Sequence, residues 1–162
     1  MWKIVMLIIS LLVSANCFGF TPKIDAVLVK KSEKRLYLLA QGIPVKEYKV
    51  VFGPKPTGHK QKVGDERTPE GKYILDYKKE KSVFYKAIHI SYPNEKDKAA
   101  AKLSGVNPGN AIMIHGQRNG LGSRSWLNQR FNWTDGCIAV TNQEMDEIWR
   151  LIHVGTPIEI QP

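Results

Sequence analysis

The chain has 162 residues, a formal charge of +9 from 24 Lys and Arg against 15 Asp and Glu, and 43% hydrophobic residues, enough for one domain with an adequate core. The positive balance suits an anionic partner, such as a cell-wall polymer or a membrane surface. It argues against nucleic acid, because the lysines are scattered and no basic helix or aromatic-interleaved basic stripe appears.

The N-terminus has the order of a secretion signal. Lys3 supplies one charge, Ile4 to Val13 is apolar except for Ser10, and Cys17 and Gly19 stand at cleavage-compatible −3 and −1 positions. The apolar run is too short for a spanning helix, which needs about 20 residues. Cys17 is a poor lipid-anchor cysteine, with Asn16 before it and no leucine three residues earlier. Residues 1–19 therefore read as a signal peptide and 20–162 as a catalytic domain, with no stable membrane insertion after cleavage. The expected location is the periplasm or the cell-wall space. The mature chain loses Lys3 and no acid, which leaves a charge of +8.

From Ile24 the pattern is mostly strand. Ala26–Lys31 and Arg35–Leu39 are short apolar runs split by Ser32-Glu33-Lys34, a hairpin, and Gln41-Gly42 turns the chain into a third strand over Val45–Phe52. Gly53 to Gly71 holds seven Gly or Pro among charges and reads as a long ordered loop that carries contacts. Tyr73–Tyr77 and Ala87–Ile90 resume strand. Asn94–Leu103 has high helix propensity and reads as a short surface helix. Asn107–Asn110 turns into the strand Ala111–His115, followed by a second polar loop, Gly116 to Asp135. The clearest helix comes last. Thr141 with Glu144 is a capping box, and Met145, Ile148, Trp149 and Ile152 share one face. Ile158-Glu159-Ile160 closes the chain as a strand.

Once the signal is removed, Cys137 is the only cysteine. An exported chain with one unpaired thiol is unusual in an oxidising compartment, and use of the thiol explains it. A cysteine nucleophile needs a base, oxyanion donors and a loop that exposes it. Gly136 precedes Cys137 and permits a tight turn, so the amides of Gly136 and Cys137 are candidate donors. Of four histidines, His115 ends an apolar strand and is followed by Gly116, where a ring is held rigidly beside a mobile loop. His89 alternates with Ile88 and Ile90 and faces a polar side; His59 and His153 read as solvated. With no Cys-x-x-Cys or His-Glu-x-x-His pattern, neither a metal nor a cofactor is expected.

His115-Gly116, then Thr134-x-Gly136-Cys137 with Asn142 shortly after, resembles the signature of the YkuD-type L,D-transpeptidases, as does the Thr68-Pro69-Glu70-Gly71 turn before a Tyr-Ile-Leu strand. The resemblance spans about residues 24–160. It implies a mainly β, single-domain fold, a sandwich or barrel of mixed sheets with one key helix after the cysteine and a short surface helix. It further implies a peptidoglycan-modifying acyl-transferase in which Cys137 attacks a stem peptide and His115 is the base. Gly136, Gly116, Asp135 and Thr134 are its support, and Arg118, Asn119, His89, Trp133 and Asn142 its substrate contacts. Eighteen residues separate His115 from Thr134, and Asp135 stands where the family has histidine. That change resembles the YafK-like branch, which includes hydrolases of wall attachments, so a wall-anchored protein joins stem peptides as an implied partner. A murein hydrolase and a non-catalytic wall-binding module are the alternatives.

Asp135 is two residues from the thiol and by itself disfavours a thiolate. Two arrangements escape this: pairing with Arg118, Arg124 or Arg130, which would pin the loop over the site, or orienting His115. The arginine pairing is favoured because three arginines lie in that loop. Trp126 and Trp133 are read as packing anchors of the loop, with a substrate wall as the alternative.

Overall fold

A computed structural model describes residues 22–162, so the expected signal segment lies outside the described residues. β1 (Ala26–Lys30) and β2 (Arg35–Ala40) form the expected hairpin, with Val27, Val29, Leu36 and Leu38 on the buried face in period-two alternation. Gln41 and Gly42, both at positive φ, make the two-residue turn into β3 (Ile43–Lys49). The third strand thus starts earlier and ends earlier than its sequence pattern suggests. Its expected last residues leave the hairpin, and Val51 instead makes an isolated bridge to Ala139.

β4 (Gly71–Ser82) and β5 (Tyr85–Ile90) are one long hairpin. Its outer half, with Lys78, Lys79, Glu80 and Lys81, carries no apolar alternation, which is why the sequence hid it. β6 (Met113–His115) pairs antiparallel with β5, and β7 (Ile138–Ala139) pairs parallel with β6. β8 (Thr156–Gln161) lies between β1 and β4, so the two ends of the described chain meet at the centre. The strands make one continuous mixed sheet in the order β3-β2-β1-β8-β4-β5-β6-β7. The mainly β, single-domain fold is as expected. Its mixed strands belong to one sheet that is not closed into a barrel: the edge strands β3 and β7 do not pair, and only Val51, two residues past β3, bridges to Ala139.

α1 (Glu95–Leu103) begins at Asn94, whose side chain caps Asp97 N while Asp97 caps Asn94 N. It is more than a surface helix: Asp97 and Ala101 are buried, and Asp97 accepts from Tyr73 OH at 3.0 Å. The loop 116–135 contains a 3-10 turn (Gly122–Arg124) and the one-turn α2 (Ser125–Asn128). α3 (Asn142–Leu151) has the capping box of Thr141 and Glu144 and packs on β5. Met145, Ile148 and Ile152 are fully buried, each stabilising the packing by about 1.5–3 kcal/mol, and Trp149 is half-buried at the edge of the core. On its outer side Asp146 pairs with Lys86 at 2.7 Å and Glu147 with Lys46 at 2.8 Å, fixing the helix against the strands.

Candidate active site

Parallel neighbours need a long crossover. Residues 116–137 are that crossover, carrying the chain from the end of β6 to the start of β7. The polar loop is therefore required by topology. His115 closes β6 and is in register with Ala139 of β7. Cys137, two residues before Ala139, falls on the same face of the adjacent strand as His115, while Ile114 and Ile138 point together into the core. The two strands are so short that both ends of the crossover reach one cavity of about 460 Å³.

His115 is almost completely buried. Its Nδ1 is 2.7 Å from Gly116 O, and a carbonyl only accepts, so Nδ1 carries the proton and Nε2 the lone pair. Burial pushes the imidazole down to about 4, with the Gly116 carbonyl opposing the shift only in part. The ring stacks on Phe84 at 4.6 Å and meets the edge of Trp133 at 5.7 Å. It is thus a neutral imidazole in an aromatic slot.

The turn before the thiol is tightly determined. Gly136 has φ +99°, and a Cβ there would lie 2.4 Å from Arg67 O, so only glycine fits. Thr134 N donates to Phe52 O at 3.1 Å, and Thr134 Oγ1 donates to Cys137 O at 2.7 Å. Cys137 Sγ lies 3.4 Å from Ala111 O. Burial raises the thiol pKa, and a hydrogen bond from Met113 N–H pulls the other way; the Asp135 carboxylate adds to the rise and the Lys60 ammonium opposes it. At neutral pH the resting pair is thiol and imidazole, not thiolate and imidazolium.

Asp135 departs from both arrangements expected for it. It is exposed at the rim, makes no ion pair with Arg118, Arg124 or Arg130 among the described residues, and does not touch His115, whose Nδ1 is held by Gly116 instead. The tight Gly136 turn and the anchored Thr134 leave its side chain outside, between the thiol cavity and a smaller recess beside Lys60. The loop is pinned by amides. Gln117, fully buried, donates from Nε2 to Val140 O at 2.7 Å and accepts from Asn128 Nδ2 at 2.9 Å.

Of the expected substrate contacts, Arg118 and Trp133 line the cavity. Trp133 serves as wall and packing partner at once, and its buried indole N–H has no protein acceptor. Trp126 is 68% exposed and anchors nothing. Three others are elsewhere. Asn142 accepts from Gln117 N at 2.8 Å and sits where any side chain at Gly116 would collide with it. Asn119 clamps the β4–β5 turn through Tyr85 N and Ser82 O. His89 is buried between Asp76 Oδ1 at 2.7 Å and Asn110 O at 2.8 Å, stacked on Tyr77. His59, expected to be solvated, is tied instead: Nδ1 accepts from Glu70 N at 3.0 Å and Nε2 is 3.1 Å from Asp97. Phe84, Leu121 and Asn128 complete the cavity, and sequence reasoning missed them. Among the described residues no group of three or more His, Cys, Asp or Glu could hold a metal ion, and no helix is long and apolar enough to cross a membrane.

A buried histidine and a half-buried cysteine stand at the two ends of a parallel crossover, facing one cavity on an open mixed sheet. The YkuD family model, described as the L,D-transpeptidase catalytic domain, matches residues 24–160, and the chain belongs to that family. YafK of Escherichia coli K12 is 32% identical over 126 residues, 76% of this chain and 41% of that protein. The helical cell shape determining protein Pgp2 from Campylobacter jejuni superposes with a TM-score of 0.64 at 27% identity, over 86% of this chain and 48% of that one. An L,D-transpeptidase from Xylanimonas cellulosilytica shares the fold at 12% identity, with a TM-score of 0.52 over 87% of this chain and 62% of that one. The chain thus spans less than half the length of YafK and Pgp2.

Proposed function

We propose that this domain is an exported, peptidoglycan-modifying cysteine acyl-transferase. The observation that carries the reading is the neutral His115, its Nδ1 pinned by Gly116 and its Nε2 unprotonated, on the wall of the cavity that holds Cys137. His115 Nε2 takes the Sγ proton as sulfur attacks the carbonyl of the L-centre of a diamino acid in a tetrapeptide stem. Proton transfer accompanies attack because the thiol is protonated at rest. The tetrahedral oxyanion collapses, the bond to D-alanine breaks, and the imidazolium returns its proton to the leaving amine. An amine or water then attacks the thioester while His115 accepts its proton; the C–S bond breaks, and the imidazolium returns that proton to Cys137 Sγ, giving a cross-link or a trimmed stem.

Substrate class and bond follow from family membership; the thiol–imidazole chemistry follows from the residues. Exposed Arg118 on the cavity wall offers a guanidinium to a stem carboxylate. The likeness to Pgp2 makes cell shape a process that such a reaction would serve. The reading requires export, in keeping with the signal-like residues 1–19, and needs neither metal nor cofactor. Sacculi incubated with wild type and with Cys137→Ala, then digested and resolved as muropeptides, test it. New 3–3 cross-links mark transfer and released tripeptides or freed wall-anchored protein mark hydrolysis; identical profiles for the two proteins would leave only a wall-binding module.

A further inference from the structure

Thr68 is fully buried in the turn ending the Gly- and Pro-rich segment, and its Oγ1 donates to Gly136 O at 2.8 Å. A trans peptide sends its C=O and N–H to opposite sides. The bond therefore turns Cys137 N–H away from Thr68, and that N–H meets no protein acceptor among the described residues. The next carbonyl, Cys137 O, is held by Thr134 Oγ1, so both carbonyls flanking the nucleophile's backbone are fixed. Gly136, without a Cβ, would otherwise let the peptide plane rotate. Thr68 is itself immobilised: its carbonyl accepts from Lys31 Nζ at 3.2 Å, and the same ammonium reaches Gly58 O at 2.8 Å and Glu70 at 2.7 Å. Thr68 is not part of the cavity wall.

We propose that Thr68 is a positioning residue for acyl transfer, its hydroxyl locking the Gly136–Cys137 peptide so that Cys137 N–H faces the oxygen of the reacting carbonyl. This rests on the acyl-transfer reading. Two reactions at one thiol separate the role from a merely structural one. Displacement on iodoacetamide develops no oxyanion; acylation by p-nitrophenyl acetate passes through one.

In Thr68→Val, the acylation rate should fall by about tenfold to a hundredfold, short of the 10²–10³ lost when an oxyanion donor is removed outright. Alkylation should stay within about twofold, as expected of a group that acts only on developing oxyanion charge. On sacculi Thr68→Val should lower kcat with KM unchanged, and Thr68→Ser, which keeps the hydroxyl, should restore acylation and kcat alike. Thr68→Ala, which loses the hydroxyl without placing a second methyl against Gly136 O, reads the same ratio if the valine variant does not fold. Equal loss of both reactions, or no loss of acylation, overturns the proposal, as does a wild-type Cys137 no faster with the ester than free cysteine. A wild type that the ester acylates but that leaves sacculi untouched refutes the wall-substrate reading and leaves Thr68's role standing.

Discussion

The buried imidazole of His115 makes stability depend on pH in a way that can be isolated. Its folded pKa of about 4 lies below the ordinary 6.5, because burial disfavours the cation. The unfolded chain thus binds a proton more readily than the folded one. Stability from this group is fully present above pH 6.5, declines as pH falls from there, and levels off below about 4. The shift of roughly 2.5 units corresponds to about 3 kcal/mol in total, of which about 2 kcal/mol is gone by pH 5. Replacing His115 with glutamine keeps an amide donor for Gly116 O and removes the titration. Urea melts of wild type and His115→Gln at pH 7, 6, 5 and 4 measure the difference directly, since carboxylates titrating over the same range are common to both. Wild type should lose about 2–3 kcal/mol more than the variant between pH 7 and 4. Parallel stability curves would refute a neutral, buried His115, and with it the resting thiol–imidazole pair.

Removing the Asp135 charge should favour the thiolate, so Asp135→Asn should alkylate with iodoacetamide a few-fold faster near pH 7, an effect under about 1 kcal/mol because the carboxylate is exposed. An unchanged rate would remove Asp135 from the electrostatics of the thiol. Gly136→Ala forces a Cβ to 2.4 Å from Arg67 O at φ +99°; it should abolish Cys137 acylation and lower stability by about 1–3 kcal/mol or more in a thermal melt. Gln117→Leu leaves Val140 O without its donor at a cost of about 1–3 kcal/mol, and amide exchange in residues 116–130 should accelerate while β1 and β8 stay protected. Lys31→Met strips Glu70 and two carbonyls of a buried ammonium and should cost about 3 kcal/mol in chemical denaturation.

Local patterns carried the elements whose one face is wet and the other dry. β1, β2 and α3 show this, because alternation and the Thr141–Glu144 box are written in consecutive residues. β7 was illegible: two residues, buried on both faces, have no period to read. The outer half of the β4–β5 hairpin was hidden for the opposite reason, both faces being solvated. At the site, Cys137, His115 and Gly136 stand out through residue type and neighbours, whereas Phe84 leaves no local mark and Thr68 is marked only as part of its turn, its bond to Gly136 O being invisible in the sequence. Asp135 makes no ion pair with Arg118, Arg124 or Arg130 among the described residues, because closeness along a loop does not fix which way its side chains turn. The amides of Asn119 and Asn142 hold backbone groups instead, Asn119 those of the β4–β5 turn and Asn142 the N–H of Gln117 in the crossover, demands visible only once the path of the chain is known.

The contacts that build the nucleophile's turn arrive from distant chain positions. Thr68 is 68 residues from Gly136, and Phe52 N–H donates to Asn132 Oδ1, 80 residues on. Loop closure over such separations is slow and comes late in folding. Before those contacts close, Cys137 is an ordinary thiol, with neither His115 nor the Thr134–Gly136 turn in place around it. The surroundings that set the thiol apart are therefore a product of the finished fold, not of any local stretch of chain.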